Sequence, residues 1–187
     1  MKVLFVNGTV IGKKTGVMLE IIRNYIEKTN CGYSLEIMNL KDYEHQIVDG
    51  RPLIEYNTDM QEIVQKFKEA DGYVIASPIF QGSIPGVLKN VLDMLDPSTM
   101  RYKPVTIVAT GGTYQHHLVM EYQLKPILDY FRCMVTPNYV YTQAGDFDHD
   151  NRISSNDVHD RFRELARVFV QYAEMSKVLR EVPNTKK

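Results

Sequence analysis

An excess of charge of either sign is missing from this chain. With 22 Lys and Arg against 23 Asp and Glu the formal net charge is −1, which gives no strong bias toward nucleic acid or a membrane surface. Cysteine is scarce too. Cys31 and Cys133 are far apart and fit neither a CxxC pair nor a zinc spacing, so both read as small buried apolar residues. No apolar run approaches the length of a bilayer span. The opening MKVLFVNGT reaches polar residues too soon for a signal peptide, and a cytoplasmic protein is expected. Repeats, low-complexity tracts and linkers are also lacking. The 187 residues thus predict one domain over 1–187, and a 44% apolar content suffices for a substantial core.

What is present is alternation. Short apolar, β-branched runs at 2–7, 34–40, 72–77, 104–110 and 134–142 read as strands. Apolar residues at helical spacing mark helices at 15–27, 59–68, 86–95, 117–131 (despite Pro126) and 155–182. Asp59 reads as the N-cap of the second helix, with Glu62 completing a capping box. Residues 41–57 are polar and turn-rich, an irregular excursion, and VPNTKK reads as a frayed end. Strands alternating with helices call for an α/β fold, a parallel sheet with helices on both faces. Five strands favour the flavodoxin-like three-layer sandwich of order 2-1-3-4-5, whose ligands bind beyond the carboxyl ends of strands 1, 3 and 4. Function should then reside in three turns.

The first turn is GTVIGKKTG, residues 8–16. Hydroxyls at Thr9 and Thr15, two lysines and a helix start suit a single phosphate, through free N–H groups and the helix dipole. It matches neither the Walker pattern nor GxGxxG. An ordinary strand-to-helix turn with Thr15 as N-cap fits equally. The second turn, SPIFQGSIPG, places Ile79 and Phe80 at the sheet end, followed by Gln81, Gly82 and Ser83. An apolar wall with nearby main-chain N–H groups, those of Phe80 to Gly82 among them, suits a planar heterocycle, with Ser83 able to donate a hydrogen bond. A hydrophobic loop packed on a partner subunit is the alternative. In the third turn, ATGGTYQHH, paired glycines allow close approach of main chain to ligand and Tyr114 could stack. His116 and His117 are adjacent, without HxxxH metal spacing, and His117 reads as an exposed polar residue of a helix start.

PIFQGSIPGVLKNVLDML resembles the signature P-x-[YF]-x-x-S-x-x-G-x-L-K-x-x-L-D of the NADPH-dependent FMN reductases. GGTYQHHLVMEYQLKPIL is similar, without gaps, to G-G-S-x-x-H-x-L-x-x-D-Y-x-L-K-P of the flavin reductases that feed two-component monooxygenases, the alkanesulfonate system in particular. The resemblance runs from the first strand to the fifth. It implies bound FMN, NADPH or NADH as donor, and hydride transfer from nicotinamide C4 to flavin N5, with the chemistry carried by the flavin and no catalytic side chain. By position, it implies that Thr9, Lys14, Thr15 and Gly16 hold the phosphate. Pro78, Ile79, Phe80, Gln81 and Ser83 would border the ring, with Gly111, Gly112, Thr113 and Tyr114 at its other edge. It also implies a homodimer or homotetramer, with Tyr122 at an interface on an irregular helical turn, and a monooxygenase as acceptor of reduced flavin. Gln81 stands where Lys is often found, and the first loop is shorter than in the sulfonate-type enzymes. The choice between NADPH and NADH stays open. Rival readings are an FMN-containing quinone or azo reductase and a flavodoxin-like electron carrier. Carriers are usually strongly acidic, and a charge of −1 argues against that.

One further stretch, DFDHDNRISSND, places Asp146, Asp148, Asp150 and Asp157 at positions 1, 3, 5 and 12 of an EF-hand-like loop. Asn151 replaces the glycine at position 6 and Asp157 is shorter than the usual glutamate. Either the loop binds calcium weakly, or it is a solvated acidic connection capped by Ser155 before the last helix.

Overall fold

The computed structural model describes residues 1–29 and 32–181, so Cys31 and the VPNTKK end lie outside the described residues. Within them, β1 (Lys2–Asn7), β2 (Ser34–Asn39), β3 (Gly72–Pro78), β4 (Pro104–Gly111), β5 (Met134–Val135) and β6 (Val140–Gln143) form one sheet. All pairings are parallel. The order is β2-β1-β3-β4-β5, with β6 also paired to β4.

Side chains of successive strand residues leave on opposite faces, and both faces are covered. Val3, Phe5, Val74, Ala76 and Val108 face α1 (Lys14–Glu27) and α5 (Asn156–Glu181), which contribute Met18, Leu19, Ile22, Phe162, Leu165 and Phe169. Leu4, Val6, Tyr73, Ile75 and Ile107 face α2 (Thr58–Glu69), α3 (Gly86–Met94) and α4 (Lys125–Tyr130), which contribute Ile63, Phe67, Leu88, Leu92 and Leu128. This is the three-layer sandwich expected. Half-buried Cys133 packs on the second cluster, and burial pushes its thiol up to about 12.

Four local expectations are corrected. The fifth strand is two: β5 pairs with Pro104 and Val105, β6 with Val108 to Gly111. Pro137 has no N–H to offer a ladder, and proline in a sheet sits at an edge. The cap of α2 is Asn57, whose side chain accepts the Met60 N–H at 2.9 Å, while Asp59 instead accepts the Glu44 N–H at 2.7 Å. Thr15 is not a cap: α1 begins one residue earlier, after Lys13, and no side chain caps it. The helix forecast over 117–131 is instead a π turn at Met120–Leu124 followed by α4, preceded by a 3₁₀ turn at Tyr114–His116. The Lys125 N–H donates to Met120 O, five residues back. Pro126 explains the wide turn, because its ring crowds the carbonyl of residue 122 and it cannot donate to it.

The register levels the carboxyl ends of β1, β3 and β4. Asn7 pairs with Ala76, and Pro78 with Thr110. The Gly8 N–H donates to Ala76 O at 2.8 Å and the Ile79 N–H to Thr110 O at 2.9 Å. A Cβ at Gly8 would stand 2.7 Å from Ala76 O, so only glycine lets the first turn leave the sheet this close to β3.

Candidate active site

A cleft of about 300 Å³ opens where those strands end, lined by Ile11, Gly12, Lys13, Lys14, Thr15, Pro78, Phe80, Thr110 and Asn151. It joins the first two turns and adds a residue from the acidic segment. The first turn is shaped by Thr9, buried, whose hydroxyl donates to Ile11 O at 2.9 Å and accepts the Ile11 N–H at 3.2 Å. Gly12, at φ 86, turns the chain toward α1. There the unpaired N–H groups of the first helical turn and the positive end of the dipole meet two lysines. Thr15 is 2% exposed, and its Oγ1 has no hydrogen-bond partner among the described residues. A buried hydroxyl left unpaired costs about 1–3 kcal/mol, so this one is set for an acceptor from outside the chain. Gly16 follows with room for a side chain, the nearest atom to a Cβ being Asn7 Nδ2 at 3.6 Å.

The second turn is a two-residue hairpin. Phe80 and Ser83 exchange N–H···O bonds of 2.9 Å each, and Gln81 and Gly82 lie at φ 46 and 74. Positive φ at both positions is the type I′ pattern. The Phe80 N–H is thereby consumed, a correction to the set of main-chain donors expected for a ring. The Gln81 and Gly82 N–H groups have no partner among the described residues. Ile79 packs inward against the core rather than into the cleft. The Ser83 hydroxyl donates to Gln123 Oε1, and Gln123 Nε2 donates to Gly82 O at 3.1 Å. Gln123 belongs to the π turn and clamps the hairpin. Sequence reasoning missed it, since nothing in its neighbourhood marks a contact to residues 40 positions earlier.

The third turn stands beside the cleft. A Cβ at Gly111 would lie 2.0 Å from the Tyr141 hydroxyl, which donates to Thr113 O at 2.7 Å. Gly112 and Thr113 are exposed. Tyr114 is 59% exposed and stacks on His117 with centroids 4.4 Å apart. His117 is therefore half-covered and Nδ1 lies 2.8 Å from Tyr114 O, while His116 is exposed.

The four aspartates do not gather. Asp146 accepts the Gln143 N–H at 2.8 Å, Asp148 accepts those of Asp150 and Arg152, and Asp157 pairs with Arg161 at 3.2 Å. Among the described residues no three His, Cys, Asp or Glu side chains stand close enough to share a metal. Asp146, Asp148 and Asp157 are thus engaged by the chain itself, while the Asp150 carboxylate has His149 Nε2 at 3.6 Å. Ser155 caps α5 as expected, facing the Val158 N–H at 3.5 Å.

Residues 1–146 match the family described as NADPH-dependent FMN reductase. The chain belongs to that family. An NAD(P)H-dependent FAD/FMN reductase from Geobacillus thermodenitrificans is 41% identical over 166 residues, 89% of this chain and 90% of that one. An FMN reductase (NADPH) from Pseudomonas aeruginosa is 37% identical over 108 residues, 58% of each chain. The crystal structure of an oxidoreductase from Corynebacterium diphtheriae superposes with a TM-score of 0.75 at 24% identity, over 94% of this chain and 98% of that one. No helix among the described residues is long and apolar enough to cross a membrane.

Proposed function

We propose that the cleft at the carboxyl end of the sheet holds FMN, and that the protein is an NAD(P)H-dependent FMN reductase. The observation carrying this reading is Thr15: a buried hydroxyl without a partner, at the start of a 14-residue helix and beside Lys13 and Lys14. The donor set, hydroxyl, helix N–H groups and ammonium groups, fits a phosphate monoester. Pro78 and Phe80 supply an apolar wall next to it, and the Gln81 and Gly82 N–H groups are free to donate to ring acceptors. Bound there, FMN supplies the two-electron chemistry between NADPH or NADH and the acceptor. The chain's own part is to seat the phosphate, keep the hairpin at 80–83 rigid and offer preorganised donors where negative charge develops. Thr9 and Gly16 shape the phosphate end, and Gly111 to Tyr114 border the ring from the third turn.

The same reading extends to a homodimer or homotetramer through the face carrying Tyr122, which is 75% exposed on the π turn. It extends also to a cytoplasmic setting and to delivery of reduced flavin to a monooxygenase. Thr15→Val tests the core of it. Removing an unpaired hydroxyl should leave the flavin-free protein as stable or about 1 kcal/mol more stable, while FMN binding weakens about tenfold. Thermal denaturation and fluorescence titration read the two effects, and undiminished FMN affinity would sink the assignment of the phosphate to Thr15. NAD(P)H consumption that needs added FMN separates a reductase from an electron carrier.

A further inference from the structure

The acidic segment 146–157 raises a different question. It lies against the start of α1, where two lysines and free helix N–H groups suit an anion and four carboxylates should be unwelcome. The fold occupies one of these carboxylates with its own backbone. Asp148 is folded into its own turn, accepting the N–H groups of Asp150 at 2.9 Å and Arg152 at 2.8 Å. The Asp148 N–H donates to Arg152 O at 2.9 Å, and the Asn151 N–H to Asp148 O at 3.0 Å. Phe147 and Ile153 pair across the base, Ile153 is buried in the α1 and α5 face, and the Lys14 ammonium sits 4.8 Å over the Phe147 ring.

The residue this hairpin presents to the cleft is the neutral one. Asn151 stands at φ 59 and shares the lining with Lys13, Lys14 and Thr15. Asparagine tolerates that backbone and carries two N–H donors with no negative charge. We propose that Asn151 is a phosphate-recognition residue, its side-chain amide donating to the FMN phosphate seated at the start of α1. The proposal rests on the FMN reading above and deepens it. Two independent observations support it: the unpartnered Thr15 hydroxyl, which calls for an acceptor in this cleft, and the arrival of an amide from 136 positions away at the same lining. Aspartate at 151 would have the same shape and the wrong charge.

The test compares FMN with riboflavin, which is the same ring without the phosphate. Full-length wild type, Asn151→Gly and Asn151→Asp are titrated with each, following flavin fluorescence. Glycine keeps the positive φ free of strain, so folding is not at risk. Asn151→Gly should weaken FMN about tenfold, the loss of one hydrogen bond to a charged group, and leave riboflavin unchanged. Asn151→Asp should weaken FMN further, again sparing riboflavin. Wild-type preference for FMN retained in full by Asn151→Gly overturns this proposal alone, and so does an equal loss for both flavins. A wild type that binds both flavins equally overturns the phosphate reading and this inference with it.

Discussion

Gly111→Ala tests why glycine ends β4. The new methyl would stand 2.0 Å from the Tyr141 hydroxyl and 3.1 Å from its Cζ. The ring has little room to yield. Tyr141 is buried, its hydroxyl donates to Thr113 O at 2.7 Å, and Tyr114 packs edge-on at 5.9 Å. Overpacking of this kind costs about 1–3 kcal/mol. Displacing the hydroxyl adds a lost hydrogen bond, about 0.5–1.5 kcal/mol. Gly111→Ala should therefore destabilise by about 2–4 kcal/mol. Tyr141→Phe alone should cost about 1 kcal/mol. In the double variant the 2.0 Å clash is gone and only the tight 3.1 Å contact with Cζ remains. The two costs should then fall short of their sum by about 1–2 kcal/mol. Urea denaturation of the four proteins, compared at a common slope, measures the cycle. Additive costs, or a single Gly111→Ala cost under ~0.5 kcal/mol, would refute the clash as the reason for glycine.

Two further predictions concern other parts of the fold. Gln123→Ala removes both bonds that clamp the 80–83 hairpin, and FMN binding should weaken several-fold for about 1 kcal/mol of stability; unchanged affinity on fluorescence titration discards the clamp. Burial holds the Lys103 ammonium down to about 8 from its ordinary 10.5. Between these values the folded chain has shed a proton that the unfolded chain keeps, so Lys103 makes stability rise with pH from about 8 to 10.5. Lys103→Met should lose that rise, and a wild-type-minus-variant difference flat across the window rejects it.

Much of the fold was legible because buried parallel strands announce themselves. KVLFVN, GYVIAS and PVTIVAT are nearly all apolar, and their alternation with amphipathic stretches leaves few topologies. The three turns followed from the strand order. What was not legible depends on backbone detail or distance. Five residues of a π turn have no periodicity to separate them from an α-helix, so by pattern 120–124 read as plain helix, and only the family resemblance marked the turn at Tyr122 as irregular. Asn57 and Asp59 are equally good caps in composition, and only the loop that brings Glu44 to Asp59 decides between them. The aspartates of 146–157 matched a spacing, but spacing does not say that backbone N–H groups will claim Asp146 and Asp148. Asn151 and Gln123 act across 136 and 40 positions, respectively, where no local pattern reaches.

The cleft draws its walls from residues near 12, 79, 110 and 151, so no single segment of the chain can form it. Occupancy of such a cleft is thermodynamically linked to keeping the whole domain closed. Every tenfold excess of a ligand over its dissociation constant adds about 1.4 kcal/mol to the unfolding free energy. Melting temperature is in that sense a gauge of cellular flavin supply, and scarcity of the nucleotide would thin the folded population as well as slow turnover.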